Sequence, residues 1–94
     1  MSKGYIAGEV LRLRRKQKHL TYEEVSRRTG IERTLLASLE KGEPEGASSG
    51  DLTKLAGLYN FSPDVLYYFF SLRPNVPVTA KEVTDIYNDK LPNG

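Results

Sequence analysis

Arg33, Thr34, Ala37, Ser38 and Lys41 follow one another at steps of one, three, one and three residues. On a helix of about 3.6 residues per turn that spacing gathers all five on one face. The chemistry open to such a face is recognition by hydrogen bonds and charge, not bond making. Arginine offers a fork of donors that fits two neighbouring acceptors, as on the major-groove edge of guanine. Serine and threonine can bond a base edge or a phosphate, and alanine either permits close approach or touches a thymine methyl. The Lys41 ammonium suits a phosphate. On the other side of the same turn pattern lie Ile31, Leu36 and Leu39, which can anchor a helix to a core. Leu35 stands between the two sides.

Such a face needs a support, and the flanking sequence predicts one. "LTYEEV" opens a helix, with Thr21 as N-cap and Glu24 three residues on completing a capping box. Val25 points inward, and Arg27 and Arg28 suit the negative C-terminal end of the helix dipole. Gly30 supplies the left-handed conformation that stops this helix. A third helix follows over about Glu32–Lys41, and Gly42 stops it. A short helix, a turn containing glycine and a longer helix over residues 21–42 match a helix-turn-helix unit.

A first helix is predicted over about Ile6–Lys18, with Ile6, Val10 and Leu13 at helical spacing and Leu11 beside them. It ends near His19, a residue type that tolerates positive φ. After the turn-rich "EPEGASSG", Ser48 or Ser49 caps a fourth helix, about Gly50–Tyr59, whose Leu52, Leu55, Ala56 and Tyr59 form a core face. Pro63 fits the first position of a fifth helix, "PDVLYYFF". "RPNVP" breaks the chain, and "TAKE" is a second capping box, opening a short helix over about Ala80–Asn88. The expected fold is all-α: five helices in a helix-turn-helix domain over residues 6–70, then a linker and short C-terminal helix in 71–94.

Charge points the same way. Residues 1–42 carry ten Lys/Arg and five Asp/Glu, net +5, whereas residues 43–94 carry four and seven, net −3. A basic N-terminal half suits a polyanion. An enzyme is disfavoured: there is no cysteine, the one histidine is isolated, and neither a glycine-rich phosphate loop nor an evident pair of catalytic acids occurs. No catalytic residue, metal site, cofactor or small-molecule ligand is expected. The lack of cysteine suits a cytoplasmic protein, and no apolar run is long enough for a membrane span.

"LTYEEVSRRTGIERTLLASLEKGEP", followed by "LTKLAGLYNFSPDVL", resembles the phage-repressor (Cro/C1) type of helix-turn-helix domain of bacterial and phage transcription regulators. The resemblance spans roughly residues 6–70 and carries implications. The chain would bind a near-palindromic operator in double-stranded DNA as a dimer, with the third helix in the major groove. Arg33, Thr34, Ala37 and Ser38 would face bases. Lys41, with Thr21 and Tyr22 at the start of the second helix, would face phosphates, a packing role being the alternative for Tyr22. Glu40 would pair with an arginine of the first helix, either Arg15 or, if that helix is rotated, Arg14. The chain departs from the family's habit at Tyr22, where glutamine is usual, and at Glu32, where a small polar cap is usual.

The run "LYYFF" covers every side of a helix, more than one thin core can bury. Leu66 and one or two of the aromatics are expected to fill the core. The remainder of Tyr67, Tyr68, Phe69 and Phe70 needs a second partner, for which Val83, Ile86 and Tyr87 of the last helix, from the same chain or another, are a candidate. A homodimer interface of these residues is preferred over a purely internal patch. The competing reading is a protein–protein interaction module, adaptor or antitoxin-like, on the same fold. Glu32 beside the proposed DNA face is the feature that favours it.

Overall fold

A computed structural model describes residues 3–90, with side chains through residue 88. Residues 91–94 of the expected tail lie outside the described residues. Six helices follow in order: α1 (Tyr5–Gln17), α2 (Tyr22–Thr29), α3 (Arg33–Glu40), α4 (Ser49–Leu58), α5 (Pro63–Ser71) and α6 (Ala80–Lys90). Among the described residues there is no strand. The all-α expectation holds, but the count of five does not: α6 belongs to the packed body.

Local chemistry accounts for most helix ends. Thr21, Ser48 and Thr79 each accept from a main-chain N–H three residues on, and Glu24, Asp51 and Glu82 bond back to the cap N–H. Helices α1, α3 and α4 close with paired six-to-one and five-to-two main-chain bonds around His19, Gly42 and Asn60, which take φ values of 56°, 85° and 63°.

Helix α1 is the common support, packing against α3, α5 and α6, while α2 meets α3 and α4, and α4 meets α5. The core draws Ile6, Ala7, Val10 and Leu11 from α1, Val25 from α2, Leu36 and Leu39 from α3. Leu52, Leu55, Ala56 and Tyr59 join from α4 and its end, and Leu66 and Phe69 from α5. Val83 and Tyr87 of α6 are buried in the same cluster. Burial pushes the Tyr59 phenol well above its ordinary range.

Two expectations need correction. The buried stripe of α1 runs through Ile6, Ala7, Val10, Leu11 and Arg14, and Leu13 is only half-buried at its margin. Arg14 can take this position, at 3% exposure, because α6 covers it. Its guanidinium carbon lies 5.1 Å from the centre of the Tyr87 ring. Its Nη1 donates to Gln17 Oε1 at 3.5 Å, and the Tyr87 hydroxyl donates to that same oxygen at 2.8 Å.

The second correction concerns the surplus of aromatic residues. Phe69, Val83 and Tyr87 lie inside the chain's own core, and Phe70 and Ile86 are half-buried against it. Only Tyr67 and Tyr68, each 43% exposed, stay on the surface. The tail folds back on its own chain and supplies the second partner that the aromatic run needed. Asn75 ties the linker to the N-terminus: its N–H donates to Lys3 O, and Lys3 N–H donates to Asn75 Oδ1, both at 2.8 Å.

Replacing Tyr87 with alanine removes a buried ring and uncovers Arg14. Tyr87→Ala is expected to destabilise the fold by about 3 kcal/mol in equilibrium denaturant unfolding. An unchanged unfolding midpoint would show that α6 does not hold α1 in solution.

Candidate nucleic-acid interface

The turn between α2 and α3 is fastened by two adjacent residues. Gly30 takes φ 77° and its N–H bonds Ser26 O at 2.7 Å. The buried Thr29 hydroxyl donates to Val25 O at 2.7 Å and accepts from Ile31 N–H at 3.2 Å. This hydroxyl satisfies main-chain groups on both sides of the turn, so Ile31 can enter the core while the chain reverses. With Leu36 and Leu39 also buried, Arg33, Thr34 and Lys41 are left exposed, and Ala37 and Ser38 half-buried. Leu35, at the border, packs partly against the core and lies close to Gly46 of the following loop.

Glu40 fixes α3 to the other two helices of this region. The arginine that meets it is Arg15: Nε to Oε2 at 2.7 Å and Nη2 to Oε1 at 3.1 Å, a two-pronged contact. Arg15 Nη1 also donates to Leu20 O at 3.0 Å, which secures the α1–α2 connection. Glu40 accepts a third bond, from the Tyr22 hydroxyl at 2.9 Å, and the Arg15 guanidinium lies 4.2 Å from the centre of the Tyr22 ring. Hydrogen bonding to the Glu40 carboxylate holds the Arg15 guanidinium above its ordinary value. Burial, then the bond to Glu40, pushes the Tyr22 phenol up as well. One carboxylate thus joins α1, α2 and α3.

The N-terminus of α2 and the exposed face of α3 together form an open groove of about 530 Å³ lined by Thr21, Tyr22, Glu23, Arg33, Thr34 and Ala37. It brings together five of the seven residues expected at a nucleic-acid contact. Ser38 and Lys41 lie outside it, Lys41 in a second groove at the far end of α3.

The Thr21 and Tyr22 hydroxyls, expected to face phosphates, are both engaged within the chain. The Thr21 hydroxyl donates to Glu24 Oε1 at 3.1 Å, and the Tyr22 hydroxyl donates to Glu40. A phosphate accepts but cannot donate, so neither side chain can bond it without giving up an internal partner. The donors left in the first turn of α2 are the main-chain N–H groups of Tyr22 and Glu23, which the helix itself cannot satisfy.

Two residues of this region escaped the sequence reading. Thr29 directly before Gly30 is a legible signal, a small hydroxyl residue at a helix end. Glu23 had no signal, because only the placement of α2 puts its carboxylate in the groove. Among the described residues, no group of His, Cys, Asp and Glu could hold a metal ion, and no helix is long and apolar enough to cross a membrane.

A family model described as a helix-turn-helix domain matches residues 6–67. The chain belongs to the helix-turn-helix domain family. The match runs from the start of α1 into α5 and therefore contains the Glu40 junction and the groove. No curated protein matches the chain. Membership in this family points to DNA as the partner, since the second helix of such a unit is the one that enters a groove of the duplex.

The Arg15 and Glu40 side chains are 14% and 7% exposed, so removing one partner leaves the other charge poorly hydrated. Glu40→Ala should lower stability by roughly 2–3 kcal/mol. Thermal and denaturant unfolding check this, and an unchanged midpoint would show that the junction contributes nothing.

Proposed function

We propose that the chain is a sequence-specific transcription regulator of the phage-repressor type. It acts as a repressor, binding a near-palindromic operator as a dimer with α3 in the major groove. The observation that carries this reading is the groove in which the start of α2 and the exposed face of α3 meet. In a helix-turn-helix unit the first helix crosses the DNA backbone while the second reads base edges.

Each group then has a role. Arg33 donates two bonds to guanine, Thr34 and Ser38 bond a base edge, and Ala37 lets the helix approach or meets a thymine methyl. The main-chain N–H groups of Tyr22 and Glu23, at the positive end of α2, and the Lys41 ammonium hold phosphates on either side. Glu40 makes no DNA contact in this reading. Its bonds to Arg15 and Tyr22 hold the angle at which α3 is presented. Glu23 and Glu32 repel phosphate close to the groove, the feature that favours a protein-binding module on the same fold as the second reading.

Two half-sites call for two copies of the chain. Tyr67 and Tyr68, exposed on α5, are available for that contact, with Phe70 and Ile86 at its margin. A homodimer is expected in sedimentation at micromolar concentration, and Tyr67→Asp with Tyr68→Asp should shift it toward monomer. A wild-type chain that stays monomeric with and without DNA would remove the dimer from the proposal.

The DNA assignment is tested on an operator selected from random sequences, against scrambled DNA, across a salt series. Arg33→Ala should cost roughly 1–3 kcal/mol on the operator and relax the choice of base at one position per half-site. Lys41→Ala should weaken both DNAs alike and flatten the salt dependence by about one unit per bound protomer. Equal losses on both DNAs for Arg33→Ala would make it a phosphate contact. No loss for either variant would put the DNA-binding surface elsewhere and bring the protein-binding module forward.

A further inference from the structure

The second groove, about 330 Å³, lies where the N-terminus, the end of α3 and the tail converge. Lys3 and Tyr5 line it from the N-terminus, Lys41 from the end of α3, and Pro77 and Val78 wall it from the linker. Two acids also line it, and both have cationic partners: Glu40 is held by Arg15, and Glu9 faces Arg12 at 3.5 Å. Neither lysine has an ion-pair partner among the described residues.

Lys3 is not placed by chance of a loose end. Gly4 N–H donates to Gly42 O at 2.8 Å, which fastens the N-terminal segment to the residue following Lys41. Lys3 itself is gripped on both main-chain groups by Asn75, through its N–H to Asn75 Oδ1 and its carbonyl from Asn75 N–H. Asn75 takes φ 66°, and the linker it belongs to is anchored in turn by the Arg73–Glu82 ion pair at 2.7 Å. Lys3 and Lys41 therefore line one open groove, and the segment that holds the Lys3 main chain beside it is the tail, beyond the residues the family match covers.

We propose that Lys3, clamped by Asn75, forms with Lys41 a two-lysine site for a DNA backbone phosphate, and that the tail acts as a positioning element of the DNA-binding surface. The inference rests on the reading of α3 as the DNA-facing helix. Two like charges near one groove repel each other when it is empty, and a phosphate oxygen accepting from both relieves that repulsion. Such a contact is sequence-independent and is read through counterion release. The tail thereby has two parts with two roles: α6 covers Arg14, and the linker before it holds the N-terminal segment through Asn75.

The test uses the full chain with selected and scrambled duplexes over a salt series. Lys3→Ala should weaken both duplexes alike and flatten the salt slope by about one unit per bound protomer, with Lys3→Arg restoring it. Asn75→Gly keeps the left-handed backbone and removes only the side-chain acceptor. It should flatten the slope by less than Lys3→Ala does, and add nothing when combined with Lys3→Ala. A purely structural role for Asn75 would move the melting temperature but not the slope. If Lys41→Ala flattens the slope and Lys3→Ala does not, the two-lysine site is overturned while the DNA-facing role of α3 stands. If Lys3→Ala flattens it and Asn75→Gly leaves it unchanged, the positioning role of the tail is overturned. If neither lysine matters while Arg33→Ala still weakens the operator, the two-lysine site is overturned and the reading of α3 stands; if Arg33→Ala is silent too, that reading falls with it.

Discussion

Helix α1 and the end of α3 approach each other more closely than side chains would permit. A Cβ on Gly8 would stand 2.5 Å from the Glu40 carbonyl oxygen and 2.8 Å from Gly42 N. One on Gly42 would stand 2.7 Å from the Gly4 carbonyl carbon and oxygen. Both obstacles are main chain, which cannot rotate away as a long side chain can. The bare glycine surfaces therefore set the distance between the two helices, and much else follows from that distance. Glu40 reaches Arg15 with both carboxylate oxygens because its own backbone rests on Gly8. Gly42 closes α3 and receives the N-terminal segment at the same point.

With α3 held at one end by this contact and along its length by Ile31, Leu36 and Leu39, the polar face has little freedom to turn. Tyr22 extends the constraint to α2. Its hydroxyl and the Arg15 fork converge on one carboxylate, so the start of α2 and the end of α3 move as a unit. That arrangement explains how tyrosine serves where a glutamine would be usual: it positions the neighbouring helix instead of reaching outward. The cost is a side-chain donor at the start of α2, where the main-chain N–H groups of that turn remain as donors.

The sixth helix changes the character of α1. A guanidinium at a core position is costly unless its charge is met and its planes are covered. Tyr87 offers Arg14 a ring face for the cation, and the Gln17 amide oxygen accepts from both the Arg14 Nη1 and the Tyr87 hydroxyl. The stripe of α1 is broader than a single neighbour would require because α3, α5 and α6 approach it from three directions. The same packing takes Phe69, Val83 and Tyr87 away from the surface, where the composition of the aromatic run suggested a second chain.

Much of the fold was legible in the sequence because its signals are local. Capping boxes at Thr21 and Thr79, Pro63 at the start of a helix, and left-handed residues at His19 and Gly42 act over three to six residues, and the structure uses each of them. The polar face of α3 was legible for the same reason, since helical periodicity alone separates Arg33, Thr34, Ala37 and Ser38 from Leu36 and Leu39. What the tertiary structure decided are meetings between residues far apart in the chain. Periodicity could not choose between Arg14 and Arg15 for Glu40, because a rotation of α1 by one residue exchanges them. That rotation is set by Gly8 against α3 and by Tyr87 against Arg14. Nor could it tell whether the aromatic surplus is covered by the chain's own tail or by another copy, since an apolar face specifies that it be covered and not by what. The hydroxyl of Tyr22 and the carboxylate of Glu23 likewise acquired their surroundings only when α2 and α3 closed on each other. Local backbone preferences wrote the elements, and the close packing of glycine, a buried ion pair and one tyrosine ring determined how they face.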